Sequence, residues 1–382
     1  MITQANCYNK NKTIIKTYKI FDLFYFQLTC ALIISGLIFA VSSSTYESLR
    51  LTNSFWSLGL KQIIALAIGL IAFFVLWKLN YKSLFKYAFP FSLLMLAIMS
   101  ITIFTSIGKA SGGSQRWIDI GGFQFQPAEV AKFAAILLTS KMLTKYSWKD
   151  YKKYSIYLLI VFLITLTIFK QPDLGSASIV LLTTFELLFI FGWPLWLLFS
   201  FIPFLLFAVY KKLQSTPYQM ERITYWLNPY LDPEGKGYNL IQASYALGLG
   251  NLFGVGLGNS MQKQGFLPVS HSDFIFAIMG EEIGLFGLTA ILLLYFTWIL
   301  RGIYLTNKIQ NKFGRILGTG IILMIATQAI INISVAVGLF PVTGVTLPFF
   351  SCGGTSLIVT LAMTGIVFNI LSSKKNDFVE TA

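Results

Sequence analysis

Runs of mostly apolar residues, separated by short polar or basic stretches, recur along the whole 382-residue chain. A helix that crosses the hydrocarbon core of a bilayer needs about 20 such residues. On that criterion the pattern predicts about ten spans, at 22–42, 56–77, 84–107, 127–146, 154–170, 175–192, 194–211, 273–300, 313–337 and 353–373. Only Gly192, Trp193 and Pro194 separate the sixth from the seventh, which reads as a tight turn. No internal repeat or low-complexity linker divides the series. The expected fold is therefore all-α and polytopic: one integral membrane domain over 22–373, with tails at 1–21 and 374–382. The connection 212–272, between the seventh and eighth spans, is far longer than a helix–helix connection needs to be, so it is expected to be functional.

Composition narrows the class. The chain is 55% hydrophobic and 12% charged, with a mean hydropathy of +0.70, which excludes a soluble domain of this size. Lys10, Lys12, Lys16 and Lys19 lead into the first span with no small-residue cleavage pattern behind it, so a retained helix is expected and not a removed signal peptide. The net charge of +14 does not point to nucleic acid, because the basic residues form short clusters between spans instead of lining one face. They read as topology signals. The amino-terminal tail, Lys78 with Lys82 and Lys86, the five lysines 141, 145, 149, 152 and 153, the 301–315 connection and Lys374 with Lys375 fall on one side, the cytoplasmic one. Loops 43–55, 108–126, 171–174, 212–272 and 338–352 are then outside. Lys211, Lys212 and Arg222 oppose this rule, and an anionic ligand at the outer surface would explain them. Cys7, Cys30 and Cys352 have neither metal spacing nor a disulfide pattern and are given structural roles.

The candidate chemistry centres on residues 253–284, FGVGLGNSMQKQGFLPVSHSDFIFAIMGEEIG, which hold the chain's one histidine, His271, then Asp273, Glu281 and Glu282. Ionisable groups at the mouth of a membrane helix are expensive, so a functional site is the default reading. Within GSQRWIDIGGFQFQPAEVAKF, Pro127 suits a first helical turn, and Glu129 and Lys132 share a helix face. They are either an ion pair bracing two helices or the lining of a cavity; intramembrane charge favours the cavity. Arg116 beside Trp117 could hold a headgroup phosphate, and Trp117 reads equally as a membrane-belt anchor. In KQPDLG, Asp173 reads as a helix cap, and Glu186 as an interhelix hydrogen bond. The glycines before residue 260 fit neither a dinucleotide fingerprint nor a phosphate loop. The late loop GLFPVTGVTLPFFSCGGTS carries no charge, so backbone and hydroxyl groups must supply its polarity.

Four of these segments, RWIDIGGFQFQPAEVAK, QPDLGSA, GVGLGNSMQKQGFLPVSHSDFIFAIMGEEIGLFG and PVTGVTLPFFSCGGTSL, stand in an order that resembles the SEDS family of polytopic bacterial envelope proteins. The resemblance runs from the first span to the last. GLGNSMQK is similar to the family's division branch, and SQRWI to its elongation branch. The resemblance implies a SEDS-type fold with a large extracytoplasmic loop. It further implies a peptidoglycan glycosyltransferase of the bacterial cytoplasmic membrane, polymerising lipid II at the outer face and at the division septum. Its implied partners are a class B penicillin-binding protein that crosslinks the strands, other division proteins and membrane lipids. The family's catalytic aspartate matches Asp273, and its helix-borne Glu and Lys match Glu129 and Lys132. Val269 and Cys352 depart from the pattern, where Glu and Tyr are usual.

That chemistry also suits the residues themselves. Strand extension removes a proton from a sugar hydroxyl as it attacks an anomeric carbon, while a lipid pyrophosphate departs. A carboxylate can be the base and cations can stabilise the leaving group. Asp273 is the expected base; Arg116, Lys132, Arg222 and Lys263 are the expected phosphate partners, with Glu129 and His271 completing the substrate-binding set. No ligand spacing demands a metal, although a divalent cation such as magnesium is compatible with pyrophosphate chemistry. The rivals are a polymerase of the family's elongation branch, a lipid II flippase, which would need access from both sides, and an inactive scaffold, which would leave the embedded charges without a role.

Overall fold

The computed structural model describes residues 22–104, 108–111, 114–121, 123–200, 217–268 and 270–373. The amino-terminal lysines, Cys7, most of the seventh expected span with Lys211 and Lys212, Val269 and the 374–382 tail lie outside the described residues. Helix α1 is Leu23–Thr52, α2 Ser57–Lys78, α3 Lys82–Phe104, α4 Pro127–Lys145, α5 Tyr151–Lys170, α6 Leu174–Ile190 and α7 Leu195–Ser200. Beyond them come α8 Pro217–Leu227, α9 Tyr238–Leu249, α10 Ile275–Asn307, α11 Lys312–Ala336 and α12 Gly354–Ser372. Among the described residues, α1, α2, α3, α5, α10, α11 and α12 are long and apolar enough to cross a membrane. Helix α6 is apolar but shorter, and α4 carries Glu129, Lys132, Lys141 and Lys145.

Helix α1 starts where the Asp22 carboxylate accepts from the Tyr25 amide at 2.8 Å, and stops at Asn53 in the left-handed conformation. It does not end at 42 as the apolar pattern suggested. Ser43, Ser44 and Thr52 turn their hydroxyls back onto carbonyls one turn earlier, so a polar sequence continues the helix with its donors satisfied. The connection after it shrinks to a few residues.

Helix α4 is buried on nearly all sides and packs against α3, α5, α6 and α11. An all-round buried helix has little amphipathic signal to display. Helices α2 and α12 form the closest pair, because Gly365 lets the backbone at Phe73 approach; a Cβ there would stand 2.4 Å from the Phe73 carbonyl oxygen. Such small-residue contacts let membrane helices pack where no hydrophobic drive separates lipid from protein.

The 108–126 connection is not an irregular loop. It forms three antiparallel strands, β1 Gly108–Ser111, β2 Ser114–Ile120 and β3 Phe123–Phe125, in the order β1-β2-β3. Ile120 pairs with Phe123 across a two-residue turn that opens at Gly121, φ +59°. A Gly-Gly pair between short alternating segments is a hairpin signal, and Gly121-Gly122 is that pair. The sheet packs on α3, α4 and α12 and so sits at the Asp273 end of the bundle.

Helix α10 begins close to the expected 273 and runs on to Asn307, with a break at Gly284, φ 64° and ψ −170°. The break is filled from the 251–256 loop. The Val255 and Gly256 amides donate to the carbonyls of Glu281 and Glu282 at 2.9 and 3.0 Å. In turn the Leu285 and Phe286 amides donate to Asn251 and Leu252. Only glycine suits residue 284, since φ is positive and a Cβ would lie 2.4 Å from the Gly254 nitrogen.

Candidate functional site

Asp273 lies just before α10 and is half-buried. It does not cap that helix: the cap position is Phe274, which makes no side-chain capping bond. Its carboxylate instead accepts from the Ser272 hydroxyl at 3.0 Å, and its carbonyl accepts from Asn332 Nδ2 of α11 at 2.9 Å. The same Asn332 amide group donates to the Val345 carbonyl at 2.7 Å, tying the late loop to this turn. Gly344, φ +75°, passes so near that a Cβ would stand 3.7 Å from Asp273 Oδ2. Further ties come from Ser351, which donates to the Ser272 carbonyl at 2.5 Å, and the Cys352 amide, which donates to that of His271 at 2.9 Å. The uncharged loop thus supplies backbone and hydroxyl partners that fix the acid.

Charges converge on this carboxylate from three other elements. Burial pushes the Asp273 carboxyl up to about 6; the Ser272 hydrogen bond and the Arg222 and Arg116 guanidiniums oppose that rise, and Asp173 adds to it. Arg116 of β2 is held by the carbonyls of Gln171 and Pro172, at 2.8 and 2.5 Å. Asp173 caps α6 as expected, accepting from the Ser176 backbone amide at 3.0 Å, and also accepts from Gln126 Nε2 at 3.4 Å. Arg222 of α8 donates to the Val342 carbonyl at 3.1 Å and borders a cavity of about 200 Å³ with Tyr225, Trp226 and Leu240. Two cations and two carboxylates therefore share one end of the bundle.

Below this tier lies the α4 pair. Lys132, 1% exposed, donates to Glu129 and to Gln328 of α11, both at 2.8 Å. Gln328 in turn donates to the Thr346 carbonyl at 3.0 Å. The ion pair is thus joined through α11 to the same late loop that holds Asp273. Sequence reasoning passed over Gln328 and Asn332, although two amide side chains one turn apart in an apolar span were the available signal.

One expected phosphate partner stands elsewhere. Lys263 is not gathered with Asp273: its ammonium is buried in an ion pair with Glu282 at 2.7 Å and donates to Ser42 of α1 at 3.0 Å. A desolvated lysine needs that fixed carboxylate. Glu281 accepts from the Ser260 hydroxyl and the amides of Met261 and Gln262, so both glutamates fasten the 251–264 loop and neither is available as a base. His271 is half-buried; burial holds its ring below the ordinary value, and Glu47 opposes that shift. Glu186 accepts from the Thr327 hydroxyl at 3.1 Å, an interhelix bond as expected. Among the described residues no three His, Cys, Asp or Glu side chains gather around a metal position. A magnesium ion carried by phosphates needs only one or two carboxylates, and Asp273 with Asp173 is the pair that could meet it.

Comparison with known proteins covers nearly the whole chain. The family model for FtsW, RodA and SpoVE, described as cell cycle protein, matches residues 22–376. Stage V sporulation protein E of Bacillus subtilis is 36% identical over 354 residues, 91% of this chain and 96% of that one. A probable peptidoglycan glycosyltransferase FtsW of Geobacter metallireducens is 35% identical over 372 residues, 94% of this chain and 97% of that one. Among solved structures, a chain from a peptidoglycan synthase complex that coordinates polymerization and crosslinking superposes with a TM-score of 0.78 at 30% identity, over 94% of this chain and 100% of that one. The rod shape determining protein RodA of Thermus thermophilus gives 0.70 at 28% identity, over 93% and 98%.

Proposed function

Because the chain belongs to the FtsW/RodA/SpoVE family of cell cycle proteins, we propose that it is a peptidoglycan glycosyltransferase that polymerises lipid II at the outer face of the cytoplasmic membrane, in septal wall synthesis. The observation that carries the reading is the half-buried Asp273 carboxylate, placed in the joint field of Arg116 and Arg222 at the loop-rich end of the bundle.

In this reading Asp273 takes the proton from the acceptor sugar hydroxyl as the new bond forms at the anomeric carbon, and the bond to the lipid pyrophosphate breaks. A base whose pKa lies just below neutral is charged when it is needed and still takes up a proton readily. Arg116 and Arg222 offset the charge on the departing pyrophosphate. Glu129 and Lys132 form the polar floor, and Gln328 couples that floor to the late loop. A divalent ion, when bound, would add charge neutralisation at the pyrophosphate.

The location of charge supports polymerisation over transport. From Phe133 to Leu138 the buried face of α4 is apolar, so a flipped headgroup would meet no charged path along α4 beneath Lys132. A class B penicillin-binding protein is the proposed partner, in line with the synthase complex that this chain superposes on. The direct test is glycan polymerisation from lipid II by the purified protein, alone and with that partner. Lipid II translocation without polymer would sink the proposal.

A further inference from the structure

At the opposite end of the bundle from Asp273, a cavity of about 390 Å³ is lined by Trp148, Lys149, Tyr151, Tyr154 and Trp196. Three elements build it: the α4–α5 connection, the start of α5 and the start of α7. Tyr154 packs against Trp193 of the α6–α7 turn, ring centroids 4.6 Å apart and the planes tilted by 58°, which fixes the inner wall. Trp196 and Tyr151 remain 65% and 62% exposed.

The charge around this opening is one-sided. Between Glu129 and Asp173 the chain has a single acidic residue, Asp150, against Lys141, Lys145, Lys149, Lys152 and Lys153 in the connection. The Asp150 carboxylate is engaged by the Ser147 amide at 3.1 Å. Lys149 and Lys152 sit over the Trp148 and Tyr151 rings at 5.6 and 6.0 Å, so aromatic faces hold the ammonium groups at the rim. Behind the acidic N-cap residue Asp150, the first turn of α5 carries Lys152 and Lys153, more positive charge than a helix dipole favours at this end. An anion seated there would relieve that repulsion. The outward neighbours, Ile156 and Leu159 on α5 and Leu195 and Phe199 on α7, are exposed apolar side chains of the membrane-facing surface.

We propose that this cavity binds the headgroup of an anionic phospholipid from the adjacent leaflet, with its acyl chains along the apolar surface of α5 and α7. The lysines meet the phosphate and the tryptophans pack on the glycerol region, where amphipathic rings partition. An acidic protein segment would satisfy the lysines but would have no use for the continuous apolar rim.

The test uses the full-length protein in nanodiscs of phosphatidylcholine, with phosphatidylglycerol or cardiolipin titrated in, and reads the midpoint of thermal unfolding. The expected result is a saturable rise with anionic lipid and none with inorganic phosphate. Lys149→Gln with Lys152→Gln, both exposed, should abolish most of the rise, whereas the charge-matched pair Lys308→Gln with Lys312→Gln should keep it. Trp196→Ala should weaken lipid affinity without changing net charge. Equal losses in the two lysine pairs would reduce the effect to diffuse attraction and overturn the site. A rise produced by an acidic peptide in pure phosphatidylcholine, with no further rise when anionic lipid is then added, would assign the cavity to a protein partner instead.

Discussion

Gln328 and Asn332, one turn apart on α11, hold the two tiers of the candidate site: Gln328 accepts from Lys132 at 2.8 Å, and Asn332 donates to the Asp273 carbonyl at 2.9 Å. Each also donates to the late loop, at Thr346 and Val345. A single helix face thereby sets the height of the acid above the buried ion pair, and a shift of α11 would move both together.

Asn332→Ala should accordingly damage activity more than fold. It leaves two carbonyls without their side-chain donor, at about 1–3 kcal/mol for a buried unsatisfied group. A misplacement of roughly 1 Å at a reacting group can lower rate by about 10²-fold. Polymerised glycan from lipid II and the thermal midpoint, measured on the same preparation, separate the two effects. Wild-type rate in a folded Asn332→Ala protein would mean that the loop holds Asp273 without help.

Glu129 and Lys132 are expected to work as a pair. Lys132→Met alone leaves a buried carboxylate uncompensated, costing about 3–5 kcal/mol, whereas Glu129→Gln with Lys132→Met can be nearly neutral. The double variant should express and unfold like the parent yet make no glycan. Normal synthesis by that variant would reduce the pair to a brace between α4 and α11.

Sidedness is tested by impermeant thiol labelling of cysteines introduced one at a time into a background lacking the native ones. A cysteine at Lys236, in the segment between α8 and α9, should label in intact cells. One at Lys149 should label only after permeabilisation. The reverse pattern would invert the bundle and remove Asp273 from the outer face.

The spans were legible because bilayer thickness imposes length and hydrophobicity on each helix separately. Where polar residues continue a helix, as Ser43 and Ser44 do, or where a short sheet tops the bundle, as at Trp117 and Ile118, that constraint is silent. Asp273, Arg116 and Arg222 could be nominated from their types and the expense of charge near a membrane. Lys263 could not be sorted from them, since its partner Glu282 is separated from it by a turn, a cap and a helix start, and only the break at Gly284 brings the loop against α10.

The Lys263–Glu282 tie should matter for loop attachment and not for acid–base chemistry. Lys263→Met isolates a buried Glu282, at about 3–5 kcal/mol, and should expose the Val255 and Gly256 amides that fill the helix break. Faster hydrogen exchange at 251–264, with an unchanged pH–rate profile in the surviving activity, is the expected signature. A profile shifted in pH would return Lys263 to the reaction centre.

Asp273 makes the sharpest prediction, because its charge state enters both rate and stability. Burial raises its folded-state pKa to about 6, against an ordinary 3.8, so the folded chain holds this proton more tightly than the unfolded one does. Its stabilising contribution is complete below about pH 3.8 and is lost as pH rises through about 6. At pH 8 the half-buried carboxylate is a net cost, and Asp273→Asn should raise the thermal midpoint there and give no gain at pH 4. A base must be unprotonated, so parental activity should fall about tenfold per unit below pH 6 and level off above it. The Asn side chain is nearly isosteric but takes no proton, and should lose about 10²- to 10⁴-fold in rate, as should Ala. Since Phe274 and not Asp273 occupies the cap position of α10, neither loss can be ascribed to an unravelled helix start. Substantial polymerisation by a well-folded Asp273→Asn protein would dismiss this carboxylate as the base, and with Glu281 and Glu282 committed to the 251–264 loop and Asp173 to the cap of α6, it would overturn the acid–base reading of this end of the bundle.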